Sequence, residues 1–261
     1  MKKYILLVST TLLSLLSFSQ KTINDKDYID TSTTMVWTNV NFSYQIPFGS
    51  GYLGKTFGNN FNIGTGFILK TSSNWTYEAS FNYMFGGDVV LPDSLILGSM
   101  VNSNGDLFDE NGLKATIYLE GRYFSFGGGI GKVIPLDKWK NSGIWIKTNF
   151  GYMNHKIYIT DPENGVTQLD KDTYRKGYDQ RSSGFQMSQF VGYLFMHKRR
   201  VTSFYAGIEI VELWTKPNRN YSFMLGPSSS LPFKFSGQIG LKMGWVIPLY
   251  EKQKVVNFYK Y

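Results

Sequence analysis

A period of two over residues 233–250 constrains this chain more than any other feature of its sequence. From Phe233 to Leu249, nearly every second position is apolar or aromatic, and the positions between are mostly polar or glycine. Successive side chains of a β-strand point to opposite faces, so the pattern predicts a strand with one apolar face and one polar face. Such a strand is typical of a barrel with lipid outside and a polar lumen inside.

Seven earlier segments alternate in the same way and supply the partners that a barrel needs. The loops between the eight segments are in turn long, short, long, medium, long, short and long. This asymmetry is typical of outer-membrane barrels with short periplasmic turns and long extracellular loops. We therefore predict an all-β, eight-stranded antiparallel transmembrane barrel over residues 35–250. The seven earlier strands are predicted at about 35–47, 61–70, 75–85, 117–134, 143–160, 184–197 and 201–214.

Closure of the barrel requires the last strand to pair with the first. An even strand count and antiparallel order place them side by side. The first strand should contribute the outward face formed by Val40, Phe42, Tyr44 and Ile46.

The first 19 residues have the organisation of a secretory signal peptide. Lys2 and Lys3 are followed by the apolar segment 4–16, and small residues precede a predicted cleavage between Ser19 and Gln20. The chain has no Cys, which excludes lipid attachment through a thiol, disulfides and thiolate metal sites.

The regions on either side of the barrel are predicted to lie in the periplasm. Residues 20–34 are polar and without periodicity, and we interpret them as a leader. Residues 251–261 form an aromatic and basic tail. Its Phe258, Tyr259 and Tyr261 are candidates for contact with a periplasmic protein.

Several inward positions of the predicted strands carry charged or amide side chains. Eight strands enclose an interior just wide enough for side chains to fill, and an unpaired buried charge costs several kcal/mol. We therefore interpret this set as a salt-bridged network that closes the lumen, with a proton or ion path as the alternative. Its members are Glu78, Lys147, Glu209, Gln238 and Lys242, with Arg122 as a further candidate.

Two local features also carry predictions. Trp75, Trp145 and Trp245 lie near predicted strand ends, so they could join an aromatic belt at the membrane interface. The segment Gly127–Gly129 obscures the alternation of its strand and predicts either a bulge or a close approach of neighbouring strands.

Short motifs that are shared with a known group are spread over most of the chain. They are FGNNFNIG (57–64), SNW (73–75), NHKI (154–157), KGYD (176–179), FVGYL (190–194), FYAG (204–207), GWVIPLY (244–250) and NFYKY (257–261). On these motifs the chain resembles small outer-membrane β-barrel proteins of Bacteroidota. The resemblance implies no activity, and it implies an accessory role in envelope assembly or secretion.

Two other functions stay open from the sequence. Some eight-stranded barrels modify lipid A with a His, a Ser and an acid, and His155 with Ser182 or Ser183 is the available combination. The alternative is that His155, near the outer end of the fifth predicted strand, is simply a residue of the barrel rim. A soluble, lipocalin-like ligand-binding barrel also has eight alternating strands, but it would place its aromatic residues inside and its polar residues outside.

The long loops hold the remaining candidates for binding. Oxygen-rich loops can bind Ca²⁺, but the loop around residues 102–110 lacks the regular carboxylate spacing of an EF-hand. The loop 161–182 mixes acidic and basic residues, and it could bind lipopolysaccharide or a protein. The candidate oxygen ligands in the first of these loops are Asn102, Asn104, Asp106, Asp109 and Glu110.

The net charge of +8 is spread over turns, loops and the tail rather than concentrated in one patch. It therefore indicates a surface that faces solvent or anionic lipid and not nucleic acid. We predict no catalytic residue, cofactor or metal ion. The expected partners are outer-membrane lipid, lipopolysaccharide and other outer-membrane or periplasmic proteins.

Overall fold

The chain folds around one closed antiparallel sheet in the computed structural model, which describes residues 34–102, 104–137, 141–163, 165–170, 172–196, 203–227 and 231–249. Eight strands of this described part close the barrel, each pairing with the next barrel strand along the chain and the last with the first. This confirms the predicted fold class. The barrel strands are β1 Met35–Phe48, β2 Asn60–Lys70, β3 Trp75–Asp88, β4 Tyr118–Pro135, β5 Gly143–Thr160, β6 Ser182–Phe195, β7 Ser203–Pro217 and β10 Lys234–Leu249.

Three predicted segments fall outside the described residues. These are the signal peptide 1–19, the leader 20–34 apart from Thr34, and the tail 251–261 with Phe258, Tyr259 and Tyr261. They stay predictions.

Closure of the barrel follows the predicted pairing of its first and last strands. Val40 lies opposite Trp245, and Phe42 lies opposite Met243. Strand β1 also pairs with β2, so it has a hydrogen-bonded neighbour on each side. The ring therefore leaves no sheet edge with unpaired N–H and C=O groups.

The barrel has two unlike ends. Connections 71–74, 136–142 and 196–202 lie at one end, here called the short-turn end. Connections 49–59, 89–117, 161–181 and 218–233 lie at the other, called the long-loop end. This asymmetry is the one that the sequence predicts.

The strand faces divide as predicted into an apolar outer wall and a mostly polar interior. On β3, Tyr77, Phe81 and Tyr83 are exposed on the wall, whereas Thr76 and Glu78 are buried inside. The same alternation continues along β10, where Leu241 and Met243 are exposed and Lys242 is buried. A lipocalin-like barrel would have the opposite arrangement on these strands.

The glycine segment of β4 brings strands close together without a bulge. Gly127 and Gly129 keep an unbroken register with both β3 and β5. A Cβ atom on Gly127 would lie 2.3 Å from the Phe150 carbonyl oxygen, which explains why glycine is needed there. The irregularity between β3 and β4 lies instead at Phe85/Asp88, where Gly86 has a φ of +71°.

The predicted aromatic belt loses one member. Trp75 and Trp245 are 42% and 49% exposed on the outer wall, but Trp145 is fully buried in the interior. The prediction for Trp145 was wrong because it relied on position near a strand end. Trp145 shares the face of Lys147, so the period of two places both side chains inside.

The interior has three layers from the short-turn end to the long-loop end. Near the short turns lies an apolar and aromatic layer, here called the aromatic floor, which includes Trp37, Trp145, Phe190 and Tyr205. Charged and amide side chains fill the middle. A second apolar cluster, the loop-end cluster, combines strand residues such as Met84 and Met153 with loop residues.

The long loops fold over the barrel mouth. Helix α1, Tyr52–Thr56, and the residue after it bury Leu53 and Phe57 in the loop-end cluster. No helix in the described ranges is long and apolar enough to cross a membrane. The other loop elements are α2 Asp93–Ile96, a 3₁₀ turn Gly98–Met100, α3 Thr167–Asp170, α4 Asp172–Tyr178, and a small sheet of β8 Tyr221–Ser222 with β9 Gly226–Pro227.

Candidate functional site

The first buried ion pair joins Lys147 of β5 to Glu78 of β3. Lys147 Nζ lies 2.5 Å from Glu78 Oε2, and the two side chains are 1% and 4% exposed. The ammonium group also lies 4.4 Å from the ring centroid of Trp145. The pair therefore lies directly above the aromatic floor.

Two glycines of β4 allow this pair to form. In the sheet, Gly131 lies opposite Lys147, and Gly129 lies opposite Glu78. A Cβ atom on Gly129 would lie 1.6 Å from Asn149 Oδ1, and one on Gly131 would lie 2.7 Å from Lys147 Cβ. Side chains from β3 and β5 can meet because the strand between them presents hydrogen atoms to the interior.

The second buried ion pair joins Lys242 of β10 to Glu209 of β7. Lys242 Nζ lies 2.7 Å from Glu209 Oε1. The other carboxylate oxygen, Oε2, accepts a hydrogen bond from Gln45 Nε2 at 3.3 Å. The four charged residues predicted from sequence thus form two balanced pairs in the lumen.

Amide and hydroxyl side chains surround these pairs. Gln238 is fully buried, as predicted for an inward position, and its amide has no hydrogen-bond partner among the described residues. Buried polar groups in folded proteins are nearly always hydrogen-bonded, so we expect water to satisfy this layer. Other lumen residues in this layer with an unpartnered side-chain atom are Asn41, Ser43, Gln45, Asn60, Asn62, Asn82, Ser125, Asn149 and Gln186.

The aromatic floor is the part of the interior that sequence reasoning missed. Trp145 makes edge-to-face contacts with Trp37, Phe190 and Tyr205, at centroid distances of 6.4, 5.8 and 5.1 Å. Its Nε1–H donates to Thr76 Oγ1 at 3.0 Å, so the indole dipole is satisfied. The face shared with Lys147 was the sequence signal that could have identified it.

His155 lies inside the barrel and not on its rim. It is 1% exposed, lies opposite Ser182 in the sheet, and has Nε2 3.2 Å from Thr215 Oγ1. The rings of Phe57 and Tyr123 pack edge-on against it. The rim placement was wrong because the loop carrying Phe57 folds over the barrel mouth.

The other parts of the predicted catalytic combination are engaged elsewhere. Ser182 Oγ donates to the Gln180 carbonyl at 3.2 Å, and Ser183 Oγ accepts from Asn218 Nδ2 at 3.0 Å. Asp179, an acid of the adjoining loop, forms a two-bond ion pair with Arg219. These contacts do not connect His155 to a serine and an acid.

The Asp179–Arg219 pair joins two long loops at the barrel mouth. Beside it, the rings of Tyr178 and Phe223 lie 4.5 Å apart, and the Phe223 N–H donates to the Gly177 carbonyl. Burial raises the pKa of the Tyr178 hydroxyl above its usual range. The mixed-charge loop is therefore partly ordered by its neighbour.

The candidate Ca²⁺ loop consists of two similar turns. Asn102 Oδ1 accepts the N–H groups of residues 104 and 106, and Asp109 Oδ1 accepts those of residues 111 and 113. Asp106 forms an ion pair with Lys114 at 2.5 Å. These side-chain oxygens thus accept hydrogen bonds from backbone N–H groups of their own turns. In the described ranges, no three His, Asp or Glu side chains are grouped so that they could hold a metal ion.

Arg122 does not belong to the lumen network. It points outward from β4 and forms an ion pair with Glu120 at 2.5 Å, on a face shared with exposed Phe126 and Ile130. The sequence placed it wrongly because the glycines that follow it carry no side chains to mark the two faces.

No protein-family model matches the chain, and no curated protein does. Among solved structures, the chain is similar to Ail, the attachment invasion locus protein of Yersinia pestis, at 12% identity and a TM-score of 0.40, covering 82% of this chain and 99% of Ail. It is similar to Neisserial surface protein A at 8% identity and a TM-score of 0.39, covering 80% and 96%. It is also similar to a major outer membrane protein from Thermus thermophilus, at 8% identity and a TM-score of 0.40, covering 81% of this chain and 99% of that protein. At such values the assignment of the fold rests on the strand pairing described above.

Proposed function

We propose that the protein is an integral outer-membrane barrel that works, without catalysis, as a structural or accessory interaction subunit of an envelope complex. The complex would belong to protein assembly or secretion machinery, as the resemblance to barrels of Bacteroidota implies. The apolar wall and polar lumen support a position in a membrane. The predicted signal peptide supports export, and the short-turn end would then face the periplasm.

The observation that carries the proposed role is the filled lumen. Two buried ion pairs occupy the middle, and apolar layers lie on either side of it. An interior of this kind favours neither a diffusion pore nor a large ligand cavity. The outer surfaces and termini are then the parts available for function.

Two surfaces are suited to partners. At the long-loop end, the aliphatic side chains of Val90 and Leu113 are 66% and 67% exposed and are accessible to a partner. At the opposite end, the predicted tail 251–261 offers aromatic and basic residues to the periplasm. Outer-membrane lipid and lipopolysaccharide would surround the wall between them.

Co-purification tests this role. We expect the chain, extracted from its native membrane in mild detergent, to remain bound to other barrel or periplasmic proteins identified by mass spectrometry. Deletion of residues 251–261 should release a periplasmic partner while leaving the barrel in the outer membrane. A monodisperse monomer both before and after crosslinking would contradict the proposal.

A further inference from the structure

Two cations lie side by side on the outer wall at the long-loop end. Arg122 of β4 lies directly opposite Lys156 of β5, and both side chains belong to the outer face. Like charges at directly opposite positions of a sheet destabilise it unless something neutralises them. Glu120 pairs with Arg122 at 2.5 Å, but no carboxylate within the described part of the chain pairs with Lys156.

Tyr158 holds the two cations together. Arg122 Cζ lies 5.2 Å from the centroid of the Tyr158 ring, and Lys156 Nζ lies 5.9 Å from it. Both contacts are within the range of a cation–π attraction. The ring therefore brings a guanidinium and an ammonium group to one place on the wall.

The charges are ordered by height along the wall. Arg122 and Lys156 form the row at the edge of the apolar surface, where exposed Phe85 of β3 lies opposite Arg122 and exposed Phe126 lies four residues away on β4. The acidic residues Asp88 and Glu120 form the next row toward the long loops. This row lies about 5 Å farther along the barrel axis for strands tilted by about 40°. Cations thus face the boundary of the apolar surface, and anions lie beyond it.

The height of the basic row matches the edge of a membrane. On the outer face of β4, Lys132 marks the short-turn end, where its Nζ donates to the Ser73 carbonyl and lies 4.7 Å from the Trp75 ring centroid. Between Lys132 and Arg122 the outward side chains are apolar or glycine. That interval spans about 25 Å on a strand tilted by about 40°, which is the usual height of the apolar band.

We propose that Arg122 and Lys156 form a binding site for the phosphate group of an outer-leaflet lipid, the phosphorylated glycolipid lipid A. A phosphate group carries three acceptor oxygens and up to two negative charges, so it can bridge a guanidinium and an ammonium group. The acyl chains of the lipid A molecule would lie along the apolar outer wall, on the side of the two cations that faces the short-turn end. A free phosphate ion would gain nothing from that wall, so the geometry favours the lipid.

This inference rests on the proposed position of the barrel in an outer membrane, and not on the proposed partner proteins. The test uses the purified, folded full chain in detergent, titrated with diphosphorylated lipid A and followed by native mass spectrometry. Failure to find partner proteins would leave this assay unaffected, because no partner is present in it.

The variant Arg122→Gln/Lys156→Gln should weaken binding about 25-fold, since each cation near an anionic lipid surface contributes about fivefold. The matched control Lys132→Gln/Lys114→Gln removes two positive charges elsewhere and should stay within about twofold of the wild type. Glu120→Gln should tighten binding a few-fold, because it frees Arg122. A merely structural ion pair would not produce this opposite sign.

Two further arms separate the possible sources of the phosphate. Dephosphorylated lipid A should bind the wild type only as weakly as diphosphorylated lipid A binds the double variant, and millimolar inorganic phosphate should not displace the diphosphorylated lipid. Folding of each variant is checked by its heat-dependent gel mobility. If the double variant does not fold, Lys156→Gln alone should weaken binding about fivefold. Equal binding of lipid A by the wild type and the folded variant would overturn the proposal, as would displacement by inorganic phosphate.

Discussion

The charged residues of the lumen and those of the outer wall are arranged on different principles. Inside, Lys147 and Lys242 each lie within 2.7 Å of a carboxylate oxygen and are buried. Outside, Arg122 shares its partner with solvent, and Lys156 has a tyrosine ring beside it. Charges that are neutralised within the protein stabilise one conformation, whereas charges left at the edge of an apolar surface are available to a ligand.

Removal of one lumen carboxylate should have the largest effect on stability. Glu78→Ala leaves Lys147 buried without its anion, so we expect a loss of about 3–5 kcal/mol in the free energy of unfolding. Urea unfolding of the barrel in lipid vesicles measures it. Glu163→Ala, which removes an exposed loop carboxylate, is the matched control and should change little. The double variant Glu78→Gln/Lys147→Met should recover part of the loss, and an unchanged unfolding curve for Glu78→Ala would show that the pair does not hold the lumen.

Two adjacent glycines of β4 allow the lumen and the outer wall to be compared, because Gly129 faces the lumen and Gly128 faces the outer wall. Gly129→Ala should destabilise the barrel by about 1–3 kcal/mol, because its new Cβ would collide with Asn149 inside the lumen. Gly128→Ala places the same methyl group on the outer wall, where the nearest atom is the Glu78 carbonyl oxygen at 3.3 Å. The same unfolding assay should find a smaller loss for Gly128→Ala. Equal losses would contradict the filled lumen.

Charge removal on the outer wall should have the smallest effect on stability. The Arg122 and Glu120 side chains are 27% and 45% exposed, so Arg122→Gln should change the free energy of unfolding by less than about 1 kcal/mol. Thermal or urea unfolding in a detergent free of lipid A measures this. A loss as large as that of Glu78→Ala would mean that the outer pair is structural.

The sequence predicted which side chains face the lumen, because side chains two residues apart in a β-strand point to the same face. It placed Glu78, Lys147, Glu209 and Lys242 inside without any knowledge of their partners. Their pairing followed from the cost of an isolated buried charge. Which cation would meet which carboxylate was not predictable, because it depends on register and on the glycines of β4.

The errors have physical causes that a sequence pattern does not carry. The direction of the Arg122 side chain was predicted wrongly because the glycines of the same strand have no side chains and so do not show which positions face the lumen. His155 is buried because the loop carrying Phe57 folds over the barrel mouth, a contact between residues far apart in the chain.

The central claim is that the wall of the barrel faces lipid and its interior is closed. Because the chain has no Cys, a single cysteine can be introduced at each of residues 77–83 of β3 and spin-labelled without first removing native cysteines. Collision rates with lipid-soluble oxygen and with a water-soluble nickel chelate are then measured in vesicles. We predict oxygen access at 77, 79, 81 and 83, and little access of the nickel chelate at 78, 80 and 82. High nickel access at 78, 80 and 82, or oxygen access on these even-numbered residues equal to that on the odd-numbered ones, would contradict the account.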